Sequence, residues 1–455
     1  MKIAVDITPL QNFHSMRGVG AVTRNFIANI GNNNNKFIFL AYDHDTVSTE
    51  KLVSELIGKQ KINYSIENIY FYALTKQNKQ NNVLHKYKKI MPKILVRIFR
   101  LVHQLLAITK KILGFIKLTL GSRSTKTTRD LSYLSLDIFI QFDPTILLPK
   151  LSSNTKAIIM VYDLIPYSLE NDYLMRYSTS RKNQVNRRIS FSHHLDRLIY
   201  YNTIKQNCLK SKYILTISEF TKKDLLRFLK IKPDNITTTL LGVTPKTDIK
   251  TITKPVLKIN KKTGWGNISA NIIFPNKPFI LYVGGADKRR KIKDIFASYN
   301  NLKARGHDIS LVLAGDTMQD LDTFPNEEAK RYLEKHSSYL DDIYFVGYVD
   351  EESLHWLYTN ALVFVYPTIY EGFGLPILEA MQSGTPVITY KNTSIPEVAG
   401  DAAMYAKDFL EITDHVTNLL KNPEMRNKYS KLGKKQAGRF SWQKTSKKIF
   451  KTIMS

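Results

Sequence analysis

The stretch Tyr366-Pro367-Thr368-Ile369-Tyr370-Glu371-Gly372-Phe373-Gly374-Leu375-Pro376-Ile377-Leu378-Glu379-Ala380-Met381 decides the architecture. A β-branched run from Ala361 to Val365 reads as a strand that ends near Tyr366, two glycines turn the chain, and Pro376 stands where the first turn of a helix favours it. Strand, glycine loop and helix in that order suit a phosphorylated ligand. Gly372 and Gly374 let the backbone approach it closely, and the helix start offers unpaired N–H groups and the positive end of its dipole. Glu371 is placed to point into the crevice. Glu379, about one turn into the helix, is placed to accept hydrogen bonds from ribose hydroxyls. On these residues alone, an ordinary glycine-rich turn with a surface glutamate remains the alternative.

Outward from this corner, short β-branched runs alternate with helical patterns nearly throughout, the signature of doubly wound α/β units. Runs at 3–7, 36–41, 136–140, 157–162, 213–217 and 236–240 predict the strands of a first half. A second series is predicted at 279–283, 310–314, 343–346, 361–365 and 386–390. A chain of 455 residues exceeds what one core organises, so two domains are expected. The boundaries read 1–245 for an N-terminal domain, 246–277 for a polar linker rich in Lys, Thr and Asn, and 278–435 for a C-terminal domain. The remaining 436–455 read as a C-terminal helix that packs back toward the first domain.

Apolar residues at 43% and charged residues at 23% exclude wholesale disorder and a polytopic membrane protein. The net charge of +28 is unevenly spread: residues 76–129 hold fourteen Lys or Arg and no Asp or Glu. Within that insert, apolar residues recur at helical spacing from Ile90 to Leu120 opposite a basic face. Its longest stretch free of Lys and Arg, Leu101 to Thr109, is nine residues, against the roughly 20 needed to span a bilayer. Such a segment suits docking on an anionic membrane surface, and an insert packed on its own domain is the alternative. The single cysteine, Cys208, excludes an intramolecular disulfide framework and fits a reducing compartment. The N-terminus reads as a strand, without an apolar signal stretch or a cleavage site.

Further candidates lie in the first half. Gly18 and Gly20, within Arg17-Gly18-Val19-Gly20, follow the first strand and open a helix, where backbone approaches phosphate or sugar. Tyr162 and Asp163 end another strand at the crevice side. Ser218 reads as a helix N-cap with Thr221 three residues on. Asp43-His44-Asp45 reads as a surface loop. His193-His194 lacks acidic partners at ligand spacing, so no metal site is expected.

The pair Glu371 and Glu379, set in Glu371-Gly372-Phe373-Gly374-Leu375-Pro376 and followed by Gly384-Thr385-Pro386-Val387-Ile388, closely resembles the retaining glycosyltransferases of family four. In order, Tyr282-Val283-Gly284-Gly285, Arg289-Arg290-Lys291, Leu313-Ala314-Gly315-Asp316, Phe345-Val346-Gly347-Tyr348-Val349, Ile395-Pro396-Glu397-Val398-Ala399-Gly400-Asp401 and Arg439-Phe440-Ser441-Trp442 are similar to that family too. The resemblance covers the second half and, more loosely, the first, without the basic insert. It implies an α/β, GT-B fold of two facing Rossmann-like domains with an interdomain cleft. A nucleotide sugar, GDP- or UDP-linked, is implied as donor and substrate, with no cofactor or metal.

By the same resemblance Glu371 contacts the donor sugar, Glu379 the ribose, and Phe373, Gly374 and Leu375 face phosphates and sugar, with Gly284 on the donor side. Arg289, Arg290 or Lys291 neutralises the departing diphosphate. The resemblance places the donor mainly on the C-terminal domain and the acceptor mainly on the N-terminal one. The family often has His-Asp where this chain has Tyr162-Asp163, which weakens any histidine-based role there and leaves Asp163 for acceptor positioning or proton acceptance, with Tyr162 on the acceptor side. In the family the segment of Ser218 borders the acceptor cleft, equally with its reading as a cap. The implied activity is retaining sugar transfer to a saccharide or lipid-linked saccharide in bacterial surface polysaccharide synthesis, at the cytoplasmic face of the plasma membrane. Within the fold, a sugar-nucleotide epimerase or a glycan phosphorylase is the alternative. The charge alone suggests nucleic acid, but half of it sits on one insert and no recognition motif stands out, so no nucleic-acid partner is expected.

Overall fold

The computed structural model describes residues 1–11, 18–42, 46–69, 130–169, 186–244, 256–263, 266–273, 277–336 and 338–454. The basic insert 76–129, Arg17 and Asp43-His44-Asp45 lie outside the described residues, as do the side chains of His193 and His194.

Seven parallel strands form the first sheet: β1 (Lys2–Asp6), β2 (Lys36–Tyr42), β3 (Asn63–Ile69), β4 (Ile138–Gln141), β5 (Lys156–Val161), β6 (Tyr213–Thr216) and β7 (Ile236–Thr238), in the order β3-β2-β1-β4-β5-β6-β7. An antiparallel hairpin, β8 (Val256–Thr263) and β9 (Gly266–Ile273), falls in the span expected to be a linker. Six parallel strands make the second sheet: β10 (Phe279–Val283), β11 (Ser310–Ala314), β12 (Ile343–Gly347), β13 (Val363–Tyr366), β14 (Val387–Tyr390) and β15 (Ala403–Ala406), in the order β12-β11-β10-β13-β14-β15. Strand order reverses at β1/β4 in one sheet and at β10/β13 in the other, and the crevice outside the strands' carboxyl ends at such a point is where α/β folds bind ligands.

Helices cover the sheets: α1 (Gly18–Ala28), α2 (Thr46–Ile57), α3 (Ile165–Ser168), α4 (Asn186–Lys210) and α5 (Glu219–Asp224) in the first domain. The second has α6 (Ile292–Ala304), α7 (Glu327–His336), α8 (Glu351–Asn360), α9 (Leu375–Ser383), α10 (Ile395–Ala399), α11 (Phe409–Lys421) and α12 (Pro423–Ala437), with α13 (Trp442–Met454) at the end. Parallel strands covered on both faces become continuous apolar runs, and Ile280, Leu281 and Tyr282 of β10 are accordingly fully buried.

The last helix returns to the first domain. Phe450 of α13 stacks on Phe26 of α1 at 5.3 Å between ring centroids, and Thr445 donates to the Leu240 carbonyl at 2.7 Å. Gly242 is required at the crossing, because a Cβ there would run into the Trp442 backbone. The chain therefore passes between its two domains a second time, against residues 240–242 that lead into the central connection. Among the described residues, no helix is long and apolar enough to cross a membrane.

Candidate active site

The loop between β13 and α9 wraps the Glu371 carboxylate in donors. Arg289 Nη1 donates to Glu371 Oε1 and, at 2.7 Å, to the Tyr370 carbonyl. Tyr366 Oη donates to the same oxygen at 2.8 Å and Thr368 Oγ1 at 3.3 Å. Arg290 Nε lies 3.3 Å from it without donating a hydrogen bond. The loop backbone is pinned as well: Ser394 Oγ donates to the carbonyls of Glu371 and Phe373 at 2.9 and 3.0 Å. Burial of Glu371 pushes its pKa up, but the Arg289 and Arg290 charges and the Tyr366 hydrogen bond outweigh this, and the net shift is downward. Glu371 is a fixed anion in a dry site.

The two arginines come from the turn between β10 and α6, and both are nine-tenths or nearly so removed from water in their side chains, at 10% and 15% exposure. Arg290 lies 5.3 Å over the ring of Tyr366, which stacks on Tyr282. It also fills the space beside Gly284, where a Cβ would collide with its guanidinium and φ is +148°. This is the physical need behind the glycine after β10. Lys291 is separated from the pair: it is exposed, sits at φ +42° before α6, and its charge acts on Glu328 of α7. Of the three basic residues, Arg289 and Arg290 converge on Glu371 and Lys291 does not.

Gly374, at φ +106°, ends the loop and precedes Leu375, the first residue of α9, so the helix begins directly behind the Glu371 loop. Phe373 is buried with its ring edge-on to Phe440 at 6.0 Å. One turn on, Glu379 Oε2 accepts the Tyr358 hydroxyl at 3.1 Å, which orients the carboxylate from below.

The first domain closes the other wall. A Cβ on Gly372 would run into the Tyr162 carbonyl and come within 3.1 Å of the Asp163 Cβ, so glycine here lets the loop meet the end of β5. Asp163 Oδ1 accepts the Ile165 amide at 3.0 Å, and burial raises its pKa despite the Arg289 charge. The Tyr162 hydroxyl is buried, with no hydrogen-bond partner among the described residues. The segments that carry the two carboxyls thus meet across the domain boundary, the pKa of Glu371 shifted down and that of Asp163 shifted up. Gly18 and Gly20 occupy the first turn of α1; a Cβ at Gly18 would meet nothing within 4 Å, so no described neighbour demands glycine there.

Ser218 takes the cap half of its reading: it is fully buried, its Oγ accepts the Thr221 amide at 3.0 Å and donates to the Thr221 hydroxyl at 3.0 Å, and it caps α5. Contacts that the sequence did not reveal surround it. Glu397 of α10 accepts the Glu219 and Phe220 amides, each at 2.9 Å, capping α5 from the opposite domain. Tyr370 donates its hydroxyl to Asp224, the last residue of α5. Only the quoted motif around Glu397 gave any signal, and no role accompanied it.

Chemically, the site offers a helix N-terminus and two fixed cations for an anionic leaving group, an ionised carboxylate for hydroxyl groups, and a second carboxyl suited to receiving a proton. Residues 267–436, which include the whole second sheet, match the family model described as glycosyl transferases group 1. The O-antigen chain mannosyltransferase B of Escherichia coli is 32% identical over 259 residues, 55% of this chain and 63% of that protein, so the chain spans less than two thirds of its length. The crystal structure of WaaG, a glycosyltransferase involved in lipopolysaccharide biosynthesis, superposes over the whole of both chains with a TM-score of 0.55 at 12% identity. The Anabaena protein HepE, solved with UDP and glucose, matches 100% of this chain and 99% of its own with a TM-score of 0.55 at 9% identity. These likenesses establish the GT-B fold, two facing Rossmann-like domains.

Proposed function

We propose that this chain transfers a hexose from a nucleoside diphosphate sugar to a saccharide acceptor, retaining the anomeric configuration and using no metal. The observation that carries the reading is the convergence of Arg289, Arg290 and Glu371 at the start of α9, against Asp163 of the facing domain. As the bond from the sugar's anomeric carbon to the diphosphate breaks, negative charge grows on the leaving oxygen. Arg289, Arg290 and the α9 N-terminus are built to stabilise that charge. Glu371 takes hydroxyls of the transferred sugar and Glu379 those of the ribose. The acceptor enters from the side of Tyr162 and Asp163, and its oxygen bonds to the anomeric carbon on the face the diphosphate leaves. Its proton passes to the departing phosphate or to Asp163, whose raised pKa favours protonation.

The mannosyltransferase relative supports mannose as the sugar, hence GDP-mannose as the first donor to try, with UDP-sugars next. The acceptor is a saccharide on a lipid carrier in bacterial surface polysaccharide synthesis, and the insert 76–129, with its fourteen cations, holds the enzyme to the anionic cytoplasmic membrane face where such carriers lie. Glu371→Gln tests the reading: it removes the charge but keeps an acceptor oxygen, so the protein stays folded and transfer is lost. Turnover at the unmodified rate in that variant contradicts the assignment.

A further inference from the structure

The loop that carries Glu371 is held by both domains, and the hold is concentrated on the preceding residue. Tyr370 is buried; its carbonyl accepts Arg289 within its own domain, while its hydroxyl and ring belong to the other. The hydroxyl donates to Asp224 Oδ2, and the ring meets Phe220 edge-on at 5.5 Å. Asp224, 5% exposed, also accepts Ser168 Oγ of α3 at 3.3 Å, and α3 directly follows Tyr162 and Asp163. Thr221 of α5 donates to the Tyr162 carbonyl at 3.0 Å and reaches the Gly372 carbonyl at 3.5 Å. Glu397 then caps α5 from the second domain. A continuous set of contacts therefore runs from the Asp163 segment through Ser168, Asp224 and Tyr370 to Glu371.

We propose that Tyr370 and Asp224 are positioning residues, whose hydrogen bond across the domain boundary sets Glu371 against Arg289 when the two domains are together. The proposal rests on the transferase reading above. Neither residue touches the reacting atoms; each acts through the loop. A charge-assisted hydrogen bond in a dry interface is the strong kind and directional enough to fix a loop. Since catalysis loses about 10²-fold for a misplacement of about 1 Å, its effect belongs in kcat rather than in donor binding.

The test uses the full chain with Tyr370→Phe, Asp224→Ala and Asp224→Asn, reading kcat and KM for the sugar nucleotide it turns over, and amide hydrogen exchange through residues 370–373. Tyr370→Phe and Asp224→Ala are expected to lower kcat by about 10–10²-fold with KM little changed, and to speed exchange in that loop. Asp224→Asn keeps an oxygen for the Tyr370 hydroxyl and is expected to restore most of kcat. Unchanged kcat and exchange in Tyr370→Phe, an effect on KM alone, or an Asn variant as impaired as the Ala one overturns the proposal. If the unmodified chain turns over no nucleotide sugar, the transferase reading falls by itself. The exchange comparison, which needs no substrate, then decides the positioning role.

Discussion

Arg289 and Glu371 form a buried ion pair in which one guanidinium nitrogen serves both the Glu371 carboxylate and the Tyr370 carbonyl. The arrangement makes the carboxylate a structural counter-ion as well as the proposed ligand for sugar. Glu371→Ala leaves two buried guanidinium groups uncompensated and is expected to destabilise the fold by about 3–5 kcal/mol. Glu371→Gln retains an acceptor for Arg289 and Tyr366 and loses much less. Denaturant unfolding of both variants separates the two roles, and equal stability would remove the structural one.

Arg290→Lys keeps a charge but forfeits the planar contact over Tyr366 and the fit beside Gly284. The expected outcome is a fall in kcat of about 10²-fold, of the size seen when a preorganised donor to a developing anion is lost. Weaker binding of nucleoside diphosphate should accompany it, while the affinity for the unphosphorylated nucleoside is unchanged. Isothermal titration of the two ligands makes the comparison.

Asp163→Asn is expected to stabilise the protein while impairing transfer. Burial raises the native pKa of Asp163 above its ordinary 3.8, so in the unmodified protein stability from this group is full at low pH and declines as pH rises from about that value through the native pKa. Asparagine keeps the oxygen that accepts the Ile165 amide and never ionises. The gain in Tm should be absent near pH 3 and present at pH 7; a gain independent of pH would assign it to another cause.

Deleting residues 76–129 removes fourteen cations and is expected to abolish binding to anionic vesicles at physiological salt while leaving nucleotide affinity intact. Sedimentation with phosphatidylserine vesicles reads the first effect and titration of nucleoside diphosphate the second. Vesicle binding that survives the deletion contradicts membrane docking through the insert.

The surroundings of Glu371 were legible because their parts are local. Gly374 and Pro376 announce a helix start, while Arg289 and Arg290 stood out only through the family resemblance. Strand β3 was missed because Asn63-Tyr64-Ser65-Ile66-Glu67-Asn68-Ile69 lies at the sheet edge, where polar residues replace the apolar run. Strand β15 is four residues at one edge of the second sheet. The hairpin at 256–273 is hidden by its Lys, Asn and Thr content, which reads as linker. Ser218 looked equally suited to a cap and to the cleft, and only its burial against Thr221 decides. The contacts of Glu397 with Glu219 and of Tyr370 with Asp224 span 178 and 146 residues, and no local pattern encodes such pairing.

The central claim is that the Glu371 site breaks the bond between a sugar and a nucleoside diphosphate. Incubating the purified chain with GDP-, UDP- and dTDP-sugars in turn, and measuring released nucleoside diphosphate, tests it most directly. The account predicts release from one of these donors, GDP-mannose first, and loss of that release in Glu371→Gln. No release from any donor in the presence of saccharide acceptors, or undiminished release by the variant, would contradict it.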